Sequence, residues 1–477
     1  MVFYYKINIK KGHNMENMSN CIVFPNVHEY MYRGMSKDFA DSLLEEWRNI
    51  AAGYAEVSIL WPGKNKLILA PKPIDKALIE YHQIQFGYKL NVVTPQKFTS
   101  QTANDFLEDE HSIKTIEKFA KGCNPLHFIA WGGTQGAYAL LEKIENYTPC
   151  VAELPKQSNF WTITEYDSKI GFKKLCKNLQ LNVPKGYVCD SLNEALNVIK
   201  KFYSIQKGCV LKANWGAGGF GNIFISPALF SGSFNKVEEY IRQNIVELPY
   251  FQSGQMLVEE FVETSKNSNH VDSDISSGFA SAQILEDGST KIIAAGIDIH
   301  GINGYYEGAR LGKGVFPKKF WNQIKAIMNL LGDEISRKGY KGHWGINYML
   351  QKNGEIVLIE MNTRRCGESH VHNIANCIAG ESWMDTKYVL NRFPLDVKIT
   401  NTQITSETVL NVFDDLNSKE KETLIVPVQL SWLKKVRFPG IGFMVLGNSE
   451  KQVNCADMKL LNRLKKIGIE PLLQGVN

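Results

Sequence analysis

A β-type run, Glu355-Ile-Val-Leu-Ile359, leads into Glu360, Asn362 and Arg364. Strand alternation turns residues spaced by two to one face. A carboxylate, an amide oxygen and a guanidinium converging there make a seat for a metal-bound triphosphate. Hard oxygens suit Mg2+, which keeps a few protein ligands and completes its octahedron with phosphate and water. Arg364 would hold a phosphoryl or acyl-phosphate oxygen through its planar fork. Taken alone, the segment reads equally well as a salt-bridged strand end without chemistry.

A second charged position lies inside an apolar strand. Cys209-Val-Leu-Lys-Ala213 is followed by Asn214-Trp-Gly-Ala-Gly-Gly-Phe-Gly221 and a second strand, Asn222 to Ile225. Strand, glycine-rich loop, strand predicts a hairpin. That excludes a P-loop, which needs Gly-Lys-Ser/Thr opening a helix, and a dinucleotide fingerprint, which needs a βαβ unit. What remains is a glycine flap of Gly216, Gly218, Gly219 and Gly221 able to lay backbone N–H groups over phosphates, with Lys212 as a fixed charge at its base. A merely flexible tip is the less favoured reading, because lysine in an apolar strand is costly unless paired. Met256 to Val262 is a short strand running into an acidic hinge, Glu259-Glu260, where backbone atoms and a carboxylate can read a purine edge. Arg310, in Glu307-Gly-Ala-Arg310-Leu-Gly, is as readily a surface salt-bridge partner as an anion contact. For His370 a satisfied structural histidine is favoured over a catalytic one.

These residues need elements to position them. From Cys21 to Pro149, apolar runs such as Val57 to Leu60, Leu67 to Leu69, Leu90 to Val93 and Phe128 to Ala130 alternate with helical periodicity, which predicts a parallel α/β layer. Gly132-Gly-Thr-Gln-Gly136 follows the Phe128 strand. It is a turn at a strand's C-terminal end, where open sheets bind ligands, though an ordinary strand-to-helix turn is favoured. Ser191-Leu-Asn-Glu194 has the form of a capping box. Lys318 to Lys338 carries Phe320, Ile324, Ile327, Met328, Leu331 and Ile335 at helical spacing, and leads to a hairpin marked by Asn353-Gly354. After Pro394 the strand-like runs Thr423 to Val428 and Phe443 to Leu446 and the helical Met458 to Ile467 predict a small α/β appendage.

Composition sets the class. At 477 residues the chain exceeds one core, and 44% hydrophobic with 22% charged residues describes a globular protein. A net charge of +5 without a basic stripe gives no support to nucleic-acid binding. Nine scattered cysteines without Cys-x-x-Cys imply reduced thiols rather than a disulfide or zinc framework. No run reaches the roughly 18 apolar residues of a spanning helix, and no secretory h-region opens the chain. A cytoplasmic protein with neither nucleic-acid nor membrane partners is expected.

In this order, Lys169, Lys212, the glycine flap, Glu259-Glu260 and Glu360/Asn362/Arg364 resemble an ATP-grasp enzyme over residues 167–380. The resemblance implies an α/β (α+β) ATP-grasp fold. It implies that Lys169 and Lys212 bind ATP phosphates, that Gly218 and Gly219 cover them, and that Glu259 meets the adenine amino group while Glu260 and Val262 use hinge backbone atoms. It implies Mg2+ on Glu360 and Asn362. The family's third metal ligand is an acid on the preceding strand, where this chain has Asn347, one carboxylate fewer. Asn362-x-Arg364-x-x-Gly367-x-x-His370, with an N-terminal domain carrying Trp61-Pro-Gly-Lys-Asn65 and Leu69-Ala-Pro-Lys-Pro73, is similar to the pheganomycin-type peptide ligases with a pre-ATP-grasp domain. That resemblance implies carboxylate–amine ligation through an acyl phosphate, with Arg364, Arg310 and His370 as catalytic candidates. Small-molecule acids and amines, a peptide or a carrier protein are the implied substrates, and a homodimer is a possible assembly. The implied parts are a pre-ATP-grasp domain over 21–150, a lid over 160–258, a metal-bearing lobe over 259–394 and the appendage over 395–477. A small-molecule kinase and a non-catalytic nucleotide-binding module stay open as alternatives.

Overall fold

The structure is a computed structural model that describes residues 20–33, 41–217, 220–246, 248–251, 254–264, 277–300, 306–351, 353–433 and 439–472. Its first layer is a parallel sheet of β1 (Asn20–Phe24), β2 (Asn65–Leu69), β3 (Lys89–Val93), β4 (Leu126–Ala130) and β5 (Cys150–Ala152), in the order β3-β2-β1-β4-β5. Strands covered on both faces read as continuous apolar runs, and β1, β2 and β4 are almost wholly buried. The order reverses between β1 and β4, so the crevice past their C-terminal ends is the natural ligand position of this layer. There, Gly132 to Gly136 lead into the helix Gln135–Glu145, capped by Thr134 Oγ1 on the Ala137 N–H at 3.0 Å. The glycines allow close approach: a Cβ on Gly133 would lie 2.3 Å from Ile163 Cδ1.

A four-stranded antiparallel sheet follows: β6 (Gly186–Cys189), β7 (Cys209–Ala217), β8 (Phe220–Ile225) and β9 (Met256–Glu260), in the order β6-β9-β7-β8. The expected hairpin is β7–β8. Helices Leu192–Ser204 and Phe234–Val246 cover one face, giving this layer its own core of Leu196, Ile199, Leu211, Ile223, Val237, Ile241 and Val258. Ser191 caps the first helix on the Glu194 N–H, and Glu194 accepts from the Asp190 N–H, one residue before the N-cap whose N–H a capping box would take.

The third layer contains β10 (Ser277–Ile284), β11 (Thr290–His300), β12 (Tyr306–Gly312), β13 (Gly342–Leu350), β14 (Ile356–Asn362), β15 (Tyr388–Ile399), β16 (Leu424–Gln429) and β17 (Gly440–Gly447), in the order β14-β13-β10-β11-β12-β15-β17-β16. A short β18 (Ile469–Pro471) pairs with β15. Helix Lys318–Arg337 packs Phe320, Ile324, Met328, Leu331 and Ile335 into this layer's core. Residues 394 and 395 lie inside β15, and β16 and β17 continue the same sheet. The C-terminal segment is therefore built into the β10–β17 sheet rather than appended to it. Residues 258 and 259 likewise fall within β9, whose ladders tie it to β6 and β7.

Candidate active site

Strand β13 pairs antiparallel with β14, and Asn347 stands directly opposite Glu360. Opposed residues share a face, so Asn347 and Glu360 join Asn362 on one side of the hairpin. Tyr348 takes the other side, buried against Phe320 with ring centres 5.8 Å apart. Asn362 Nδ2 donates to Asn347 Oδ1 at 2.9 Å, and Arg364 Nη2 donates to Asn362 Oδ1 at 2.6 Å. Lys169 opens the helix Lys169–Asn178, and its Nζ lies 3.6 Å from Glu360 Oε2. The lysine is buried while the Glu360 side chain is 27% exposed, so the carboxylate is the accessible member of the pair and the ammonium stands behind it.

Arg364 lies just past β14, and the N-terminal layer fixes it. Its backbone bridges to Gly132, the Arg365 N–H donates to Trp131 O at 2.8 Å, and the guanidinium stacks 4.3 Å above the Trp131 ring. Thr363 is held by Asp167 Oδ1 at 2.9 Å, and Asp167 pairs with Arg33. Arg365 is buried in an ion pair with Glu153, which also lies 3.5 Å from His343. The Gly132–Gly136 turn therefore reaches the candidate site, through close backbone contact with Arg364.

On the second layer, Lys212 has the partner its burial demands: Nζ lies 2.7 Å from Glu259 Oε2. Lys173, one helical turn after Lys169, pairs with the other Glu259 oxygen and donates to Pro184 O at 2.6 Å. Burial works against the Glu259 charge, but the Lys212 and Lys173 ammoniums together hold its carboxyl below the ordinary range. The side chain expected at the adenine amino group thus balances two lysines in this structure. Glu260 fastens the hinge: its N–H donates to Lys185 O at 2.8 Å and its Oε1 accepts from the Lys185 N–H at 2.9 Å. Val262 is buried just beyond. Gly218 and Gly219 lie outside the described residues.

Two expected catalytic residues are not brought to the site. Arg310 opposes Ile297, which opposes Gly278, which opposes Tyr348, so it shares the Tyr348 face. It lies across the sheet from Asn347, and its charge is felt at Tyr388. His370 is fully buried, with Nε2 3.0 Å from Asn391 Oδ1, and burial pushes it down to about 4. It is a neutral histidine that holds Asn391 in place.

Sequence reasoning missed Lys173, Trp131, Asp298 and Glu368, which stand beside the expected residues. Asp298 of β11 lies beside Asn347 and Ser277, whose side chains favour its charged form. Burial and the Glu368 and Glu360 carboxylates push it up to about 8. Burial likewise raises Glu368 to about 7, with a bond from Ser281 and the Arg364 charge opposing. An acid inside the apolar run Ala294 to Ile299 was the same kind of signal as Lys212.

Glu360, Asn362 and Asn347 offer only hard oxygens, and Lys169 and Arg364 flank them where polyphosphate charge would lie, a donor set that fits Mg2+ carried in by a nucleotide. Among the described residues no three His, Cys, Asp or Glu side chains gather as a metal site, so the protein would supply one carboxylate and two amides.

No family model matches the sequence. An L-propargylglycine–L-glutamate ligase of Streptantibioticus cattleyicolor is 22% identical over 374 residues, covering 72% of this chain and 73% of that protein. The structure of an ADP complex of N5-carboxyaminoimidazole ribonucleotide synthetase superposes with a TM-score of 0.54 at 13% identity, over 97% of this chain and 98% of that one. A biotin carboxylase–β-γ-ATP complex from Campylobacter jejuni gives 0.55 at 12% identity, over 96% and 93%. These neighbours are ATP-grasp enzymes, and the chain has the ATP-grasp fold.

Proposed function

We propose that this ATP-grasp protein is an ATP-dependent carboxylate–amine ligase acting on small molecules, with amino acids as acid and amine. The observation that carries the reading is the Lys169–Glu360–Asn362–Arg364 array, oxygen ligands bracketed by two cations, facing the sheet that holds Lys212. Similarity to a ligase named for two amino acids supports the substrate class. Mg2+ on Glu360, Asn362 and Asn347 would neutralise polyphosphate charge. Lys169 and Lys212 hold phosphate oxygens, and Glu260 and Val262 form the purine edge of the hinge. Arg364, clamped between Trp131 and Asn362, meets the substrate carboxylate. A carboxylate oxygen displaces ADP from the γ-phosphorus, giving an acyl phosphate. The amine then attacks the acyl carbon, and phosphate and one proton leave. The protein's part is positioning and charge neutralisation.

ADP release over pairs of amino acids, with mass detection of the amide, tests this. Glu360→Gln and Arg364→Ala are each expected to lower turnover by about 100-fold or more, on the scale of lost transition-state charge stabilisation. Full turnover in both variants overturns the site. A phosphorylated product without amide would indicate a kinase instead. Nine unpaired cysteines support a reducing, cytoplasmic setting. No helix among the described residues is long and apolar enough to cross a membrane. A peptide or carrier-bound substrate is a further proposal, tested in the same screen. The homodimer is another, checked by light scattering, where a monomer at all concentrations overturns it.

A further inference from the structure

Arg33, which ends the helix Val27–Tyr32 of the N-terminal layer, takes no part in the ligation steps above. Its guanidinium lies over two rings, 3.6 Å from the centre of Tyr30 and 4.9 Å from that of Trp215, a residue of β7 in the four-stranded sheet. The same group pairs with Asp167 Oδ2. Asp167 Oδ1 accepts the Thr363 N–H at 2.9 Å, and Thr363 immediately precedes Arg364. Tyr30 reaches that point by a second route. Its hydroxyl lies 3.3 Å from Thr363 Oγ1, its ring stands edge-on to Trp131 with centres 5.2 Å apart, and the Arg364 guanidinium lies 6.0 Å from its centre. Arg33 therefore touches the four-stranded sheet on one side and, on the other, the two residues that fix the backbone before Arg364. Arg33 Nη1 is buried with no hydrogen-bond partner among the described residues, so the two rings orient that side of the guanidinium. Beside Trp215 in β7, Asn214 Oδ1 accepts the Ile170 N–H at 3.0 Å, a second tie between this strand and the body.

We propose that Arg33 is a positioning residue for the ligation step: clasped between Tyr30 and Trp215, it makes the seat of Arg364 depend on where β7 lies. The proposal rests on the ligase reading, in which Arg364 meets the substrate carboxylate. A cation over two ring faces is attracted by both quadrupoles, and more strongly as water leaves. While Trp215 covers Arg33, the guanidinium holds Asp167 against Thr363, and Arg364 is aimed. When β7 moves away, Arg33 loses one of its two rings, and the Asp167–Thr363 link before Arg364 loosens with it. Phosphoryl transfer is thereby confined to the state in which the sheet carrying Lys212 is seated on the body, the state in which water is excluded.

The test uses the full chain and compares Arg33→Ala, Trp215→Ala, their double variant and the conservative Trp215→Phe. ADP release with amide detection gives kcat and KM, and calorimetry with Mg2+ and a non-hydrolysable ATP analogue gives nucleotide affinity. Each alanine variant is expected to lower kcat about tenfold and to weaken nucleotide binding about threefold or less, and Trp215→Phe to recover most of the loss. The double variant should fall within about twofold of the worse single one, because both residues act through one contact. Additive losses, about 100-fold in the double variant, overturn the coupling. So does a loss in Arg33→Ala confined to nucleotide affinity, which would make Arg33 a nucleotide contact. Arg33→Lys keeps the charge facing Asp167 and loses the planar face, so it serves if Arg33→Ala fails to fold, and wild-type kcat in it overturns the stacking role. Hydrogen exchange gives a readout apart from turnover: the protection that the ATP analogue confers on the amides of residues 213–217 should drop several-fold in Arg33→Ala. If wild type forms no amide with any pair of amino acids while that drop is seen, the ligase reading fails and the contact between Arg33 and Trp215 stands. If amide forms and Arg33→Ala moves neither kcat nor exchange, the proposal fails and the ligase reading stands.

Discussion

Arg364 is the residue at which the layers meet, and Trp131 is what holds it. A guanidinium 4.3 Å above an indole is attracted by the ring's quadrupole, worth about 0.5–2 kcal/mol as the site dries. Asn362 Oδ1 fixes the same group from the other side. Trp131→Ala is therefore expected to lower kcat by roughly 3- to 30-fold on that energy scale, with nucleotide affinity held. Trp131→Phe, which keeps a ring, should recover most of the loss. Equal effects of both substitutions on nucleotide binding and turnover would mean that Trp131 only supports the fold. None of this was legible in the sequence. Trp131 precedes a glycine turn that had an ordinary structural reading, and its partner is more than two hundred residues away.

At the scale of elements, legibility followed the range of the interaction. The β13–β14 hairpin was readable because Asn353-Gly354 and strand alternation are local, and alternation put Glu360 and Asn362 on one face, while Asn347 entered only through the family resemblance. The β7–β8 hairpin was readable from its strand, glycine-rich loop, strand pattern, and lysine in its apolar strand demanded a partner. Which partner was not, since Glu259 reaches Lys212 only through the β7–β9 ladder. Arg310 was misplaced because a strand's face depends on its register against three others. The Glu259 cluster gives a test at this scale. Removing one member of a buried ionic set costs roughly 3–5 kcal/mol, since its partners stay buried and unpaired. The β6–β9 layer has its own core, so Glu259→Gln should speed hydrogen exchange across β6 to β9 and leave β1 to β5 protected. Glu259 is held below its ordinary value of 4.5. The stability it adds is present above that value and is lost as pH falls through the folded one, a dependence the glutamine variant should lack. Uniform loss of protection over all three layers would overturn the independence of this layer.

Across the whole molecule, the parallel layer and the main sheet are fastened at both ends. Arg364 and Arg365 bond to Trp131 and Gly132 at one end. At the other, Glu56 Oε2 accepts the Leu430 and Ser431 N–H groups at 2.7 and 3.0 Å, and Trp432 Nε1 donates to Ile50 O at 3.1 Å. Burial pushes Glu56 up to about 7 from 4.5, against those two bonds. The folded chain retains a proton there that the unfolded chain releases earlier, so this group's contribution to stability falls as pH rises from 4.5 to about 7. Melting temperatures should favour Glu56→Gln over wild type increasingly from pH 5 to pH 8, and a pH-independent difference would refute the assignment. The β6–β9 layer, with its separate core, is joined to this body at points such as Asn214 Oδ1, which accepts the Ile170 N–H at 3.0 Å at the start of the Lys169 helix. Acyl-phosphate chemistry requires water to be excluded, and this layer carries Lys212 on a glycine hairpin. Mg·ATP analogue is therefore expected to close it on the body and slow proteolysis around Asn214 to Asn222 by several-fold. The same cleavage rate with and without nucleotide would sink closure while leaving the proposed site on the β13–β14 hairpin untouched, because Glu360, Asn362 and Arg364 lie outside the β6–β9 layer.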